Sequence, residues 1–401
     1  DTQIGFELLC YSLVGAITAL NIQRSSLRKP TPLEIVLFIY GLYALASVAW
    51  SYDPTISVVR ATQLLILLAF IFTAIRVLNP VQTLYAMGVT VTLAVLGFAF
   101  LAAVVPGANG ARTDFYGYSR FTWFAVHPIE AANEAGIALV FVSSIALHLT
   151  RSWRTRFFGL PLWLVAALLA LILLQTRTRT ALVAVAVALA VMFGPAVLKH
   201  GSGVLTGGNR SPITRLLMLA GAVVGAAVVL RFAGALHPRE MFLQTVYRGE
   251  SSSQLTGLNG RAELWAGLMQ LSAQRPLTGY GFVASRSVLL SVLPWAGEAH
   301  NAFLETLLDL GLVGVLLLWV PLVFCIVRPI PASIRISRPT YWAFALAKTL
   351  LIYFVVEGMT DQAFANFAGY SAAATVACLL ACDMARTTYS NAPRRLYGAT
   401  A

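Results

Sequence analysis

The residues best suited to chemistry in this 401-residue chain are His300, Arg179 and Arg261. With an ordinary pKa of about 6.5, a histidine accepts a proton at neutral pH and is the usual general base. Glu298 stands two positions before His300 and is able to orient it. Glu305 and Asp309 follow one and two turns into an apolar segment, where they read either as its partners or as helix caps and dipole partners. Arginine suits a phosphate or diphosphate, because its planar fork donates two parallel hydrogen bonds and keeps its charge when partly desolvated. A hydrogen-bonded structural histidine and arginines snorkelling to an interface are the competing readings.

The elements that must position these groups are membrane helices. Hydrophobic residues make up 58% of the chain and charged residues only 11%, far too apolar a composition for a soluble globular protein. Continuous apolar runs fall near residues 5–22, 33–50, 56–75, 81–105, 131–149, 157–174, 180–198, 214–233, 302–327, 341–357 and 370–385. Their length, roughly 17–25 residues, spans about 30 Å of hydrocarbon. They do not alternate as barrel strands do, so the expected fold is all-α: a polytopic helix bundle with about eleven visible spans.

Short loops rich in basic residues orient the bundle. Arg24, Arg28 and Lys29, then Arg151, Arg154 and Arg156, then Lys199, Arg210 and Arg215, then Arg328, Arg335 and Arg338, and finally Arg386, Arg394 and Arg395 share one side if the runs alternate. That side is expected to be cytoplasmic. The same parity places Asp1 outside, so a further helix is expected ahead of it in the complete protein. The whole chain, 1–401, reads as a single membrane domain with one extracytoplasmic insertion at 234–300. Within the insertion, Asn259 caps a predicted short amphipathic helix in which Leu264, Trp265, Leu268 and Leu271 recur at helical spacing before Pro276. It lies on the bilayer surface or under a lid, or else packs as a loop helix on the membrane domain.

This topology makes the outside arginines informative. Arg112, Arg120, Arg177, Arg179, Arg239, Arg248, Arg261, Arg275 and Arg286 fall where basic residues should be sparse, unaccompanied by lysine. Lysine is rare throughout (Lys29, Lys199 and Lys348), which accounts for arginine over lysine but not for the clustering. Arg177 and Arg179 sit in one very short turn; two residues apart on a helix they would face nearly opposite ways, which favours Arg179 as the site residue. Arg177, Glu298 and Arg248 are supporting candidates, and the roles of Arg112 and Arg120 stay open. Lys348, in mid-span, should face the interior as a buried polar partner or, in a transporter, a working charge.

Several classes are disfavoured. The net charge of +12 is dispersed in small groups between apolar runs, which does not make a nucleic-acid face. Cys10, Cys325, Cys378 and Cys382 lie in apolar runs without metal or redox spacing, and read as small core hydrophobes. The remaining histidines, His127, His148, His200 and His237, show no paired-ligand spacing, and no Asp-x-Asp motif marks a metal-held diphosphate, so neither metal nor cofactor is expected. A transporter of an anion or a lipid-linked glycan would concentrate its charges near the midplane, whereas here they gather at outer helix ends.

Arg261 with Trp265, then Pro276-Leu277-Thr278-Gly279-Tyr280-Gly281, then His300-Asn301 with Leu304 and Gly311-Leu312-Val313-Gly314, resembles the signature region of the O-antigen ligase and polymerase superfamily. Thr178-Arg179-Thr180 is similar to its Ser/Thr-Arg-Thr element. The resemblance implies a metal-independent, inverting, membrane-embedded glycosyltransferase of the GT-C type, with twelve spans. It implies an undecaprenyl-diphosphate-linked donor and, in the ligase branch, a lipid A-core sugar hydroxyl as acceptor. The reaction would occur at the periplasmic face of the inner membrane, among membrane lipids. Carried over by position, Arg179 and Arg261 would hold the diphosphate and His300 would activate the acceptor. The polymerase and protein-glycosylating branches share such residues. A moderate insertion, and no appended domain beyond Arg386, favour the ligase branch.

Overall fold

A computed structural model describes residues 2–22, 29–105, 112–113, 119–123, 126–150, 152–200, 261–292, 297–330, 334, 337–361 and 370–390. The predicted span at 214–233, the Asn259 cap, Arg239 and Arg248 lie outside the described residues. The elements are α1 (Thr2–Ile22), α2 (Pro32–Ala46), α3 (Pro54–Val104), α4 (Pro128–Ser144), α5 (Leu162–Gln175), α6 (Arg179–His200), α7 (Arg261–Gln274), α8 (Ser285–Val292), α9 (Ala302–Val327), α10 (Arg338–Gly358) and α11 (Tyr370–Ser390). A π-helical turn at Ile145–Leu149 prolongs α4, and two short hairpins pair Arg112–Thr113 with Ser119–Arg120 and Arg156–Phe157 with Leu160–Pro161. Pro32–Trp50, Pro54–Val104, Pro128–Leu149, Ala302–Val327 and Arg338–Gly358 are long and apolar enough to cross a bilayer, and shorter apolar helices accompany them. The protein is an all-α, multi-pass membrane bundle.

Local sequence fixes where helices start. Thr31 and Glu34 form a reciprocal capping box ahead of α2, with Pro32 at the first helical position. Asp53 and His127 accept backbone N–H bonds at the heads of α3 and α4, each again followed by proline. The two runs predicted at 56–75 and 81–105 are the arms of α3, which breaks at Asn79, where φ is 65° and ψ is 163°. Ser57 bonds the Phe282 carbonyl at one end of the bundle, Tyr85 meets Trp342 at the other, and Phe98 returns to Trp123. The chain therefore reverses at Asn79, whose side chain accepts the Gln82 N–H and caps the second arm.

Helix α10 packs against α3, α4, α6, α9 and α11. Its buried Trp342, Phe344, Tyr353 and Phe354 fill the centre of the main core. Cys325, Cys378 and Cys382 are buried there as the expected small hydrophobes. Lys348 reaches from α10 to donate to the Arg328 carbonyl at the end of α9, 2.6 Å away. It thereby satisfies a helix-terminal acceptor, but half-buried and in an exposed bond, where the sequence led to a buried partner.

Candidate functional site

The Pro276–Gly281 loop is built into a break in α9. Gly311 interrupts that helix with φ 64° and ψ −164°, freeing the carbonyls of the preceding turn. Tyr280 N–H donates to the Leu308 carbonyl (2.9 Å), Gly281 N–H to that of Asp309 (2.8 Å), and Leu312 N–H returns a bond to Pro276 (2.8 Å). Irregular backbone at membrane depth is tolerated where protein satisfies it in this way. A Cβ at Gly279 would strike the Asp309 carbonyl, and one at Gly311 the backbone of Leu277, so both positions demand glycine. The α2–α3 turn closes over the loop: Trp50 Nε1 donates to Thr278 O (3.2 Å), and Tyr52 N–H to Tyr280 O (2.7 Å). Arg275 donates to Trp50 O and lies 4.9 Å over the Tyr280 ring, which makes it a clamp on this loop.

Arg261 opens α7. The helix buries Leu264 and Leu268 against Tyr280, Val288, Leu289, Ala299 and Leu308, with Trp265 and Leu271 partly covered. It packs on α9 and ends at Gln274, as Pro276 requires. Trp265 Nε1 donates to Ala299 O at 3.0 Å, tying the Arg261 helix to the residue before His300.

His300 is pinned on both sides. Glu305, 2% exposed, accepts the Ala299 N–H (3.1 Å) and the Ser285 hydroxyl (2.6 Å), while Asp309 accepts the Ser285 N–H (2.8 Å). These two acids are clamps between α9, α8 and the histidine segment, a role beyond the cap or dipole partner expected of them. Asn301 caps α9 by accepting from Phe303 and Leu304, and its Nδ2 donates to Met359 O at 3.0 Å. Between these anchors His300 adopts a φ of 49°, a left-handed conformation that a non-glycine residue holds only when its surroundings impose it.

Two carboxylates flank the imidazole. Nδ1 lies 3.9 Å from Glu298 Oε2 and 4.0 Å from Asp361 Oδ1. Those distances are ion-pair range, not hydrogen bonds. Burial pushes the His300 pKa below its ordinary value, the Arg261 guanidinium lowers it further, and Asp361 opposes both. The side chain therefore stays neutral at pH 7 and free to accept a proton. Half-burial raises the Glu298 carboxyl, Asp361 and Glu130 raise it further, and Arg286 opposes them. Asp361 N–H donates to the Glu357 carbonyl at 3.1 Å, and the Glu357 side chain accepts from Asn133 Nδ2 at 2.6 Å.

Arg179 is the first residue of α6 and stands at the same end of the bundle. Arg177 sits in the preceding turn with φ 52° and is not on the helix, so the reasoning that set the two on opposite helix faces does not apply. Arg120 fixes this turn: it is buried, and its guanidinium donates to Thr176 O (3.1 Å) and Thr178 Oγ1 (2.7 Å). Thr180 Oγ1 and Thr360 Oγ1 are 3.0 Å apart, joining the head of α6 to the residue before Asp361.

The structure thus brings His300, Glu298 and Arg261 together and sets Arg179 on an adjoining element. Asp361, which the sequence did not single out as a site residue, stands beside the histidine. Its sole sequence signal was an acidic residue at the outer end of a span. Glu298, His300 and Asp361 each offer one ligand atom within 4.8 Å of the others, a grouping the spacing along the chain did not reveal. A family model described as O-antigen ligase matches residues 164–319. That segment holds Arg179, Arg261 and His300 but stops short of Asp361. No curated protein matches the chain.

Proposed function

We propose, from the premise that the chain belongs to the O-antigen ligase/polymerase superfamily, that it is a ligase working at the periplasmic face of the bacterial inner membrane. It transfers O-antigen from undecaprenyl diphosphate to a sugar hydroxyl of lipid A-core. The acceptor hydroxyl gives its proton to His300 Nε2 while its oxygen attacks the anomeric carbon. The bond from that carbon to the diphosphate oxygen breaks on the opposite face, the anomeric centre inverts, and undecaprenyl diphosphate leaves with the electron pair. Arg179 and Arg261 take up the developing charge.

One observation carries this assignment: a histidine whose Nδ1 lies 3.9 Å from Glu298 and 4.0 Å from Asp361, with burial and the Arg261 guanidinium both lowering its pKa. The carboxylates favour the tautomer protonated at Nδ1, which leaves Nε2 as the acceptor and stabilises the imidazolium once formed. A reconstituted assay offering lipid-linked O-antigen with lipid A-core, with no second acceptor, and with a peptide tests the assignment. Transfer to lipid A-core is expected. Elongation of the donor alone would make the protein a polymerase, and transfer to peptide a protein O-oligosaccharyltransferase.

The reaction is metal-independent in this scheme, with arginines doing the work a divalent cation would do. The Glu298–His300–Asp361 grouping supports a second scheme in which a small cation sits among them. EDTA is expected to leave the rate unchanged; inhibition reversed by adding back a divalent cation would favour the second scheme.

A further inference from the structure

The turn that ends α10 touches both the histidine segment and the head of α6 through consecutive residues. Met359 O accepts from Asn301, which caps the helix that follows His300. Thr360 Oγ1 pairs with Thr180 Oγ1, one residue beyond Arg179. Asp361 Oδ1 lies 4.0 Å from His300 Nδ1. The glycosyl donor and its acceptor are thus addressed by residues on different elements, Arg179 on α6 and His300 ahead of α9. Among the described residues, this turn bonds to both.

We propose that Thr360 is a positioning residue, whose hydroxyl bond to Thr180 sets the separation between the arginine at the head of α6 and the histidine base. The proposal rests on the transfer reaction given above. Displacement at an anomeric carbon needs the attacking and leaving oxygens on opposite faces of the ring, so the diphosphate anchor and the base must keep a fixed distance. A misplacement of about 1 Å can cost on the order of 100-fold in rate. Helices α6 and α10 pack against each other along their lengths, so the bundle does not depend on this bond. Both threonines are only partly buried, and a hydroxyl pair there does little for packing. Its consequence lies in register: both threonines sit at helix ends, where a slide of one helix along the other is transmitted directly to Arg179 and to Asp361.

The test compares Thr360→Val, Thr180→Val, the double variant and Thr360→Ser in the full-length protein. All are assayed with undecaprenyl-diphosphate-linked O-antigen and lipid A-core, beside His300→Ala. Each valine variant is expected to lower kcat about tenfold with KM for the donor within about twofold. The double variant should be no worse than either single, since both remove one bond, and Thr360→Ser should restore transfer. Wild-type kcat in Thr360→Val beside an inactive His300→Ala overturns the tether alone. Additive losses in the double variant, or failure of Thr360→Ser to restore kcat, also overturn it. Transfer persisting in His300→Ala overturns the general-base assignment, and the tether with it.

Discussion

At the scale of single residues, the site depends on charges that act on His300 from opposite directions. Arg261 depresses its basicity and Asp361 raises it, on top of the lowering that burial imposes. A base must be unprotonated to work, so kcat/KM should rise with pH through the histidine pKa, with its acid limb below about 6.5. Replacing Arg261 with Gln removes a positive neighbour and should move that limb to higher pH; Asp361→Asn removes a negative one and should move it lower. Residual kcat/KM measured across pH in both variants checks the signs, and a limb unmoved in either would show that the titrating group is not His300. The residue types were legible from sequence, because proton transfer and diphosphate binding call for histidine and arginine. Which of the outside arginines are engaged by neighbouring turns was not. Arg120 and Arg275, indistinguishable along the chain from the candidate donor ligands, are committed to carbonyl and hydroxyl groups of neighbouring turns.

At the scale of elements, the signature loop and the break in α9 are one construction. Pro276–Gly281 supplies the N–H groups that the interrupted helix lacks, and Gly311 makes the interruption possible. A φ of 64° with ψ of −164° lies in a region open essentially to glycine alone. Gly311→Ala should therefore cost at least about 1–3 kcal/mol from the backbone alone, before the collision with Leu277 is counted. The expected outcome is a lower unfolding temperature in detergent and a loss of transfer; a variant that melts like the wild type would mean that α9 can run on without the loop. The glycines of both segments were visible in the sequence, and so was a turn at each. What could not be seen is that the two turns are partners, since periodicity describes one helix at a time and the loop's hydrogen bonds cross between elements.

At the scale of the whole molecule, segments outside the family match complete the site. Trp50 and Tyr52, from the turn between α2 and α3, hold the loop at 276–281 from above, and the α10 turn supplies Asp361. Trp50→Ala removes the Thr278 contact and the cover it gives the loop, a loss of about 2 kcal/mol for a half-buried tryptophan. It should lower the unfolding temperature and speed hydrogen exchange at Tyr280 and Gly281, which mass spectrometry of the intact protein would detect. Unchanged exchange there would mean that α9 alone holds the loop. The sequence by itself determined that this is a membrane bundle, where most of its helices begin and end, and which residues could carry the chemistry. The bilayer forces each apolar run to satisfy its own backbone, so length and composition suffice, and capping is local. Only the tertiary structure decided which helix ends converge. It brought Asp361 and Thr360 to the histidine and Arg179, turned Glu305 and Asp309 into clamps, and docked α7 on the bundle. Those outcomes depend on lateral packing between elements distant along the chain, for which neither hydropathy nor the sidedness of basic residues carries any information.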